Sequence, residues 1–221
     1  MAAGSGAKDG LIEPAARFII NSLYWASPYR WVDEWQKRVE EKVKGERGDW
    51  NRIRNRRYLL SELYILGWLG LAGLLLPLNQ LLPTILAFLL VLRVAGILNK
   101  ELGVVLFGIC KITEGEKVSA SARVILLALS NYLTAGLLFA LLYCKVGIYQ
   151  LDTSATSSPL PVNYAIVQSL SVLFTLGPAY APLDLQTRLL TIVQSGFCFL
   201  YGILIIASFV SLVNLKATNT Q

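Results

Sequence analysis

Side chains able to do covalent or metal chemistry are few and scattered in this 221-residue chain. There is no histidine, which removes the commonest metal ligand and the commonest general base. Cys110, Cys144 and Cys198 stand alone in apolar runs with no Cys-x-x-Cys pair, and read as small buried hydrophobes. The apolar segments offer mainly Ser, Thr and lone Cys, without the converging acids or nucleophiles that intramembrane catalysis needs. The expectation is a protein that is not an enzyme and carries neither cofactor nor metal. Two groupings remain. One is a cationic cluster, Arg52, Arg54, Arg56 and Arg57. The other is an irregular stretch, Thr175-Leu176-Gly177-Pro178-Ala179-Tyr180-Ala181-Pro182, where one Gly and two Pro forbid a continuing helix.

Composition places both groupings at or in a bilayer. Hydrophobic residues make up 55% and charged residues 15%, against about 25% charged in soluble domains. Mean hydropathy is +0.55. These values argue against a soluble globular enzyme, a disordered tail and a nucleic-acid reader. Of the 20 Lys and Arg, twelve precede Tyr58 alongside eight acids. The chain therefore reads as a polar, basic head (1–57) on an oily body. Its start, MAAGSGAKDG, lacks the apolar core of a signal peptide.

Within the head, Pro14 to Trp25 has roughly helical apolar spacing; it either lies in the interface or packs on the next helix. In that next helix Trp31, Trp35, Val39 and Val43 form one stripe, with opposite-charge i,i+4 pairs such as Glu34–Arg38 on other faces. The stripe either packs on the bundle or meets a partner or lipid headgroups. The arginines at 52–57 precede the first apolar run, mark the cytoplasmic side and favour anionic lipid headgroups.

The body divides by its apolar runs. Residues 58–98 form a first transmembrane hairpin turning at 77–80, with Glu62 near the interface and Arg93 snorkelling to the cytoplasmic face. Residues 99–123 are a cytoplasmic or interfacial linker whose piece at 102–112 either lies flat or extends the second span. A third span covers 124–145. The stretch 151–161, without Lys or Arg, is an external loop, and a last span covers 189–213 before a cytoplasmic tail, 214–221. Positive residues put both termini inside, in a plasma (inner) membrane. The fold class expected is an all-α membrane protein with four transmembrane helices plus a re-entrant pore helix and loop.

The re-entrant element is 163–177, apolar but too short to span. Non-helical backbone at membrane depth survives only buried in protein or lining a wet cavity. Here the residues resemble the two-transmembrane pore module of the potassium-channel superfamily. There the pore helix ends in Thr-X-Gly-Tyr-Gly-Asp, a Pro follows shortly, and Arg-Leu-Leu opens the inner helix; this chain has Thr175-Leu176-Gly177, Pro182 and Arg188-Leu189-Leu190. The resemblance covers 124–213: outer helix 124–145, pore helix 163–175, filter-like loop 175–182, inner helix 189–213. It departs where Pro178 stands for Tyr, Ala179 for the second Gly, and the Asp is missing, which sets aside an ordinary four-site potassium filter.

The resemblance implies a closed homo-oligomer, most simply a tetramer, since one loop cannot encircle an axis. It implies a narrow part made by Thr175 to Tyr180, supported by Gln168, Ser169 and Ser171. Asp184 lies at the outer mouth as a cation attractor, or is a solvated loop acid. Gln194 and Ser195 face the cavity or bond between helices, and Gly196 and Gly202 are hinge positions. The function expected is an oligomeric cation-conducting protein with weak or atypical selectivity, controlled by a soluble partner or by lipid. The alternative is a non-conducting anchor whose head recruits a soluble partner through Trp31, Trp35 and the arginines.

Overall fold

In the computed structural model the described residues are 50–83, 85–107, 118–151 and 155–218, with Phe18, Ser22, Glu34, Trp35 and Arg38 described singly. These residues are mostly helical. Helix α1 spans Trp50–Leu75, α2 Ile85–Phe107, α3 Val118–Tyr143, α4 Val162–Leu173 and α5 Leu185–Thr218. Three two-residue strands complete the elements: β1 (Tyr149–Gln150), β2 (Thr156–Ser157) and β3 (Ala181–Pro182).

The helix ends follow from local chemistry. α1 stops two residues before Pro77, whose ring disfavours helical backbone in the residue preceding it. A 3-10 turn, Asn79–Leu81, reverses the chain, and the buried Asn79 amide donates to Leu76 O at 2.9 Å, serving a carbonyl left over from the helix end. Lys145 then reaches this turn from beyond the end of α3 and donates to Asn79 O and, at 2.9 Å, to Leu82 O.

α3 is the hub, packing on each of the other four helices. From Leu138 to Cys144 every residue is buried. α2 offers it Leu90, Val94 and Ile97, one face at helical spacing. Gly136 lets α4 come close: a Cβ there would meet Leu173 Cδ2 at 3.0 Å. Tyr132 stacks on Tyr201 of α5 at 5.3 Å, and Phe197 stacks on Tyr201 at 5.4 Å.

Among the described residues two helices hold stretches long and apolar enough to cross a bilayer: Ile125–Tyr143, mean hydropathy 2.0, and Leu185–Ala207, mean hydropathy 2.1. Glu62–Leu75, Leu89–Asn99 and Val162–Leu173 are apolar but shorter. Large apolar side chains nonetheless lie exposed along α1 (Leu59, Leu63, Leu66, Leu74) and α5. A face of that kind is at home against lipid or another protein.

Several expectations change. Of the two readings left open for 102–112, the described part, up to Phe107, continues α2; residues 108–117, including Cys110, lie outside the described residues. Arg93 does not snorkel. It is 3% exposed, in mid-helix, with its guanidinium 5.0 Å from the Tyr64 ring and 5.2 Å from the Trp68 ring, and Nη2 3.5 Å from Asn131 Oδ1. Two aromatic faces and an amide from neighbouring helices replace the water it would otherwise seek. There is no break at 57/58 either: Arg52, Arg54, Arg56 and Arg57 lie on the helical backbone of α1. Of the two tryptophans assigned to a contact surface, Trp35 is helical and exposed, and Trp31 lies outside the described residues.

Candidate functional site: the loop after α4

The site begins where α4 stops. Thr175 N–H donates to Val172 O at 3.0 Å and Leu176 N–H donates to Ser171 O at 2.9 Å. This pair of bonds is a Schellman ending, with Thr175 at the left-handed position that glycine usually fills. Its φ is +61°, rare for a β-branched residue. Its hydroxyl turns back to donate to Phe174 O at 2.7 Å. Gly177 also has positive φ, +86°, with open space where a Cβ would stand. The tip is bare: Phe174, Thr175, Leu176, Pro178 and Ala179 are exposed, Leu176 at 80%.

The descending limb is pinned. Tyr180 N–H donates to Gln168 Oε1 at 2.7 Å, and the Tyr180 ring meets Tyr164 edge-on at 5.4 Å. β3 then pairs antiparallel with β1, Tyr149 opposite Pro182 and Gln150 opposite Ala181, while β2 pairs on the other side of β1. Leu183 N–H donates to Ile148 O at 3.0 Å. This small sheet was not foreseen in the sequence, which reads there as external loop and, at 181–182, as the end of the filter-like loop. Strands of two residues carry no periodic signal.

Behind the loop lies a buried polar network joining three helices. Gln194 is 0% exposed. Its Nε2 donates to Ser169 O and Ser169 Oγ, each at 2.9 Å, and its Oε1 accepts from Tyr143 O–H at 2.6 Å. Ser169 Oγ in turn donates to Gly136 O at 2.6 Å. Of the two readings for Gln194, bonding between helices is the one found. Gln168, equally buried, spends its oxygen on Tyr180, and its Nε2 has no hydrogen-bond partner among the described residues. Tyr132 O–H donates to Leu173 O at 2.7 Å, holding the last turn of α4 from α3. Ser195, on the exposed side of α5, donates to Thr191 O at 2.9 Å, and Ser171 is half-buried with its carbonyl in the Schellman ending.

Asp184 anchors the corner between β1 and α5. Its carboxylate accepts from Ile148 N–H at 3.0 Å and from the Thr187 hydroxyl, which also accepts from Ile148 N–H at 2.9 Å. The Thr187 hydroxyl is the main reason the carboxyl titrates below 3.8; burial opposes it, and the Ile148 and Thr187 backbone N–H groups add to it. Asp184 immediately precedes α5 and caps it. Gly147, at φ +104°, makes the corner possible: a Cβ there would meet Thr187 Oγ1 at 2.2 Å and Tyr149 Oη at 2.9 Å. Burial pushes the Tyr149 phenol up, and it donates to Val146 O at 3.0 Å.

α5 runs unbroken through Gly196 and Gly202, where a Cβ would meet nothing within 4 Å. Leu189, Ile192, Val193, Phe199, Ile203 and Ile206 lie exposed around them. Among the described residues no group of three or more His, Cys, Asp or Glu could hold a metal. Sequence reasoning missed Tyr143, Gly136, Lys145, Gly147 and Thr187, whose roles depend on partners 33 or more residues away, or on backbone angle.

No family model, curated protein or solved structure matches the chain.

Proposed function

We propose that the chain is an oligomeric, ion-channel-like membrane protein in which the loop after α4, repeated by symmetry, forms a cation-conducting path of atypical selectivity. The observation that carries this reading is the loop itself. α4 has 12 residues, about 18 Å at helical rise, too short for a hydrocarbon core of about 30 Å. It lies between the two helices able to span, and it hands the chain to a segment with a bare tip and a pinned return limb. A single copy leaves Phe174 and Leu176 exposed. Copies around an axis would cover them and bring the carbonyls of Thr175, Leu176 and Gly177 together. The four-span arrangement, cytoplasmic termini, plasma-membrane location, tetramer, and control by a soluble partner or by anionic lipid on Arg52–Arg57 belong to this reading.

Replacing Thr175 or Gly177 with Trp tests it. Ion flux through reconstituted protein should vanish while expression and oligomer size stay unchanged. Undiminished flux overturns the assignment.

One observation favours a second reading, a non-conducting anchor whose head recruits a soluble partner. The Thr175 hydroxyl is spent on Phe174 O and the helix end is closed by its own cap, as suits a packed plug. Charge reversal at Arg54, Arg56 and Arg57 should then abolish partner capture and leave the oligomer intact.

A further inference from the structure

The end of α4 and the middle of α5 share one side chain. The Schellman ending uses the carbonyls of Ser171 and Val172, and Leu170 O accepts from Phe174 N–H. Leu173 O, the remaining carbonyl of the last turn, accepts from outside the helix, from the Tyr132 phenol of α3 at 2.7 Å. The ring of that same tyrosine lies on α5. It is nearly parallel to Tyr201, at 5.3 Å and 11°, and to Phe197, at 6.5 Å and 14°. Phe197 and Tyr201, one turn apart, stack on each other at 5.4 Å. Tyr201 is fully buried, and its hydroxyl returns to α3, donating to Ala128 O at 2.9 Å, one turn before Tyr132. The Tyr132 ring is therefore placed by α5, while its hydroxyl closes the helix end that holds Thr175 at φ +61°. O–H···O bonds span about 2.5–3.0 Å, so moving this hydroxyl by roughly half an ångström takes it out of range. Helices that switch slide by about 1–2 Å.

We propose that Tyr132 couples α5 to the loop after α4: a shift of α5 along α3 carries the ring, withdraws the hydroxyl from Leu173 O and loosens the strained turn at Thr175. Tyr132 is a positioning residue, acting on the loop through a backbone carbonyl. A packed aromatic stack and a two-bond helix ending each have discrete arrangements, so a small shift at α5 becomes a closed or an open turn at the loop. By linkage, anything that opens the loop also loosens the seam between α3 and α5. The coupling depends on the joint of three helices and on neither conduction nor assembly.

The test is hydrogen exchange across 174–183 in the purified full-length protein, with exchange across Glu62–Leu75 of α1 as the control for overall loosening. Tyr132→Phe keeps the ring and its stack and loses only the hydroxyl; loop exchange should rise about three- to tenfold, the size of one hydrogen bond. Tyr201→Leu leaves the Tyr132 phenol in place but removes the face it lies on, and should raise loop exchange by a comparable factor. Tyr201→Phe keeps that face and should stay near wild type. In the double variant Tyr132→Phe/Tyr201→Leu the two factors should not multiply, because without the hydroxyl the position of the ring no longer reaches Leu173 O. Phe197→Leu, a gentler loss of the same stack, should act in the same direction, and it carries the test if Tyr201→Leu does not fold. Factors that multiply would make the two residues independent packing contacts and overturn the proposal. So would wild-type loop exchange in both Tyr201→Leu and Phe197→Leu, or a rise that is equal in α1 and in the loop.

Discussion

Thr175→Gly should make this protein more stable, although it deletes a hydrogen bond at the centre of the candidate site. Thr175 is held at φ +61° by a helix ending whose two bonds are both backbone bonds. Left-handed backbone costs an ordinary L-residue roughly 1–2 kcal/mol, and glycine is free of that cost. Glycine also loosens the unfolded chain, an offset of about 0.5–1 kcal/mol. The Thr175 hydroxyl bond to Phe174 O is exposed and contributes little. The net expectation is a gain of about 0.5–1 kcal/mol, or roughly 1–4 °C in the thermal midpoint for a chain of this size. The assay is a thermal scan of purified oligomer at one fixed rate, with Thr175→Val beside it. Valine keeps the β-branch and loses the hydroxyl, so it should sit at or below wild type. If Thr175→Gly melts lower than Thr175→Val, the side chain is holding the loop through its own contacts and the strained-cap argument is wrong.

Other perturbations probe the supports of the same loop. Gln194→Leu removes the acceptor of the Tyr143 hydroxyl and the donor to Ser169 O and Oγ, and should cost about 1–3 kcal/mol, read as a lower melting point with the oligomer otherwise intact. Gly147→Ala puts a methyl 2.2 Å from Thr187 Oγ1 at a backbone angle alanine rarely adopts, so purified yield should fall sharply, by more than for Gly202→Ala, where the space is open. Asp184 titrates below 3.8 in the folded protein, so its anchoring is fully present above that pH and is lost on acidification through the lower value. The protection of the Ile148 amide, its exchange rate relative to the intrinsic rate at the same pH, should therefore fall in strong acid, and Asp184→Asn should flatten that dependence. Gln168→Leu leaves the Tyr180 N–H without its acceptor and should raise proteolysis between 176 and 182 relative to Gln168→Glu, which keeps an oxygen there.

Some of this was legible in the residues and some was not. Apolar runs and prolines placed the turn near Pro77 and the short helix before Thr175, because side-chain burial and a missing N–H act locally. Arg93 was misread for the same reason. A lone arginine in an apolar run suggests snorkelling, and nothing local reveals that Tyr64, Trp68 and Asn131 from neighbouring helices surround it. Gln168 was legible as a support for the loop, but its specific partner, Tyr180 N–H, follows only from the loop's return path. To the two readings of Asp184 the structure adds hydrogen bonds the residues did not announce, because its partners Ile148 and Thr187 meet only when Gly147 turns.

The most direct test of the central claim is ion flux. Purified wild-type protein, shown to be an intact oligomer, is reconstituted in liposomes, and potassium, sodium and chloride movement is measured under an imposed gradient. The account predicts cation flux exceeding chloride flux, with weak discrimination between potassium and sodium, because Pro178 and Ala179 stand where a strict filter requires other residues. An intact oligomer that carries no ion, or that carries chloride in preference, contradicts it.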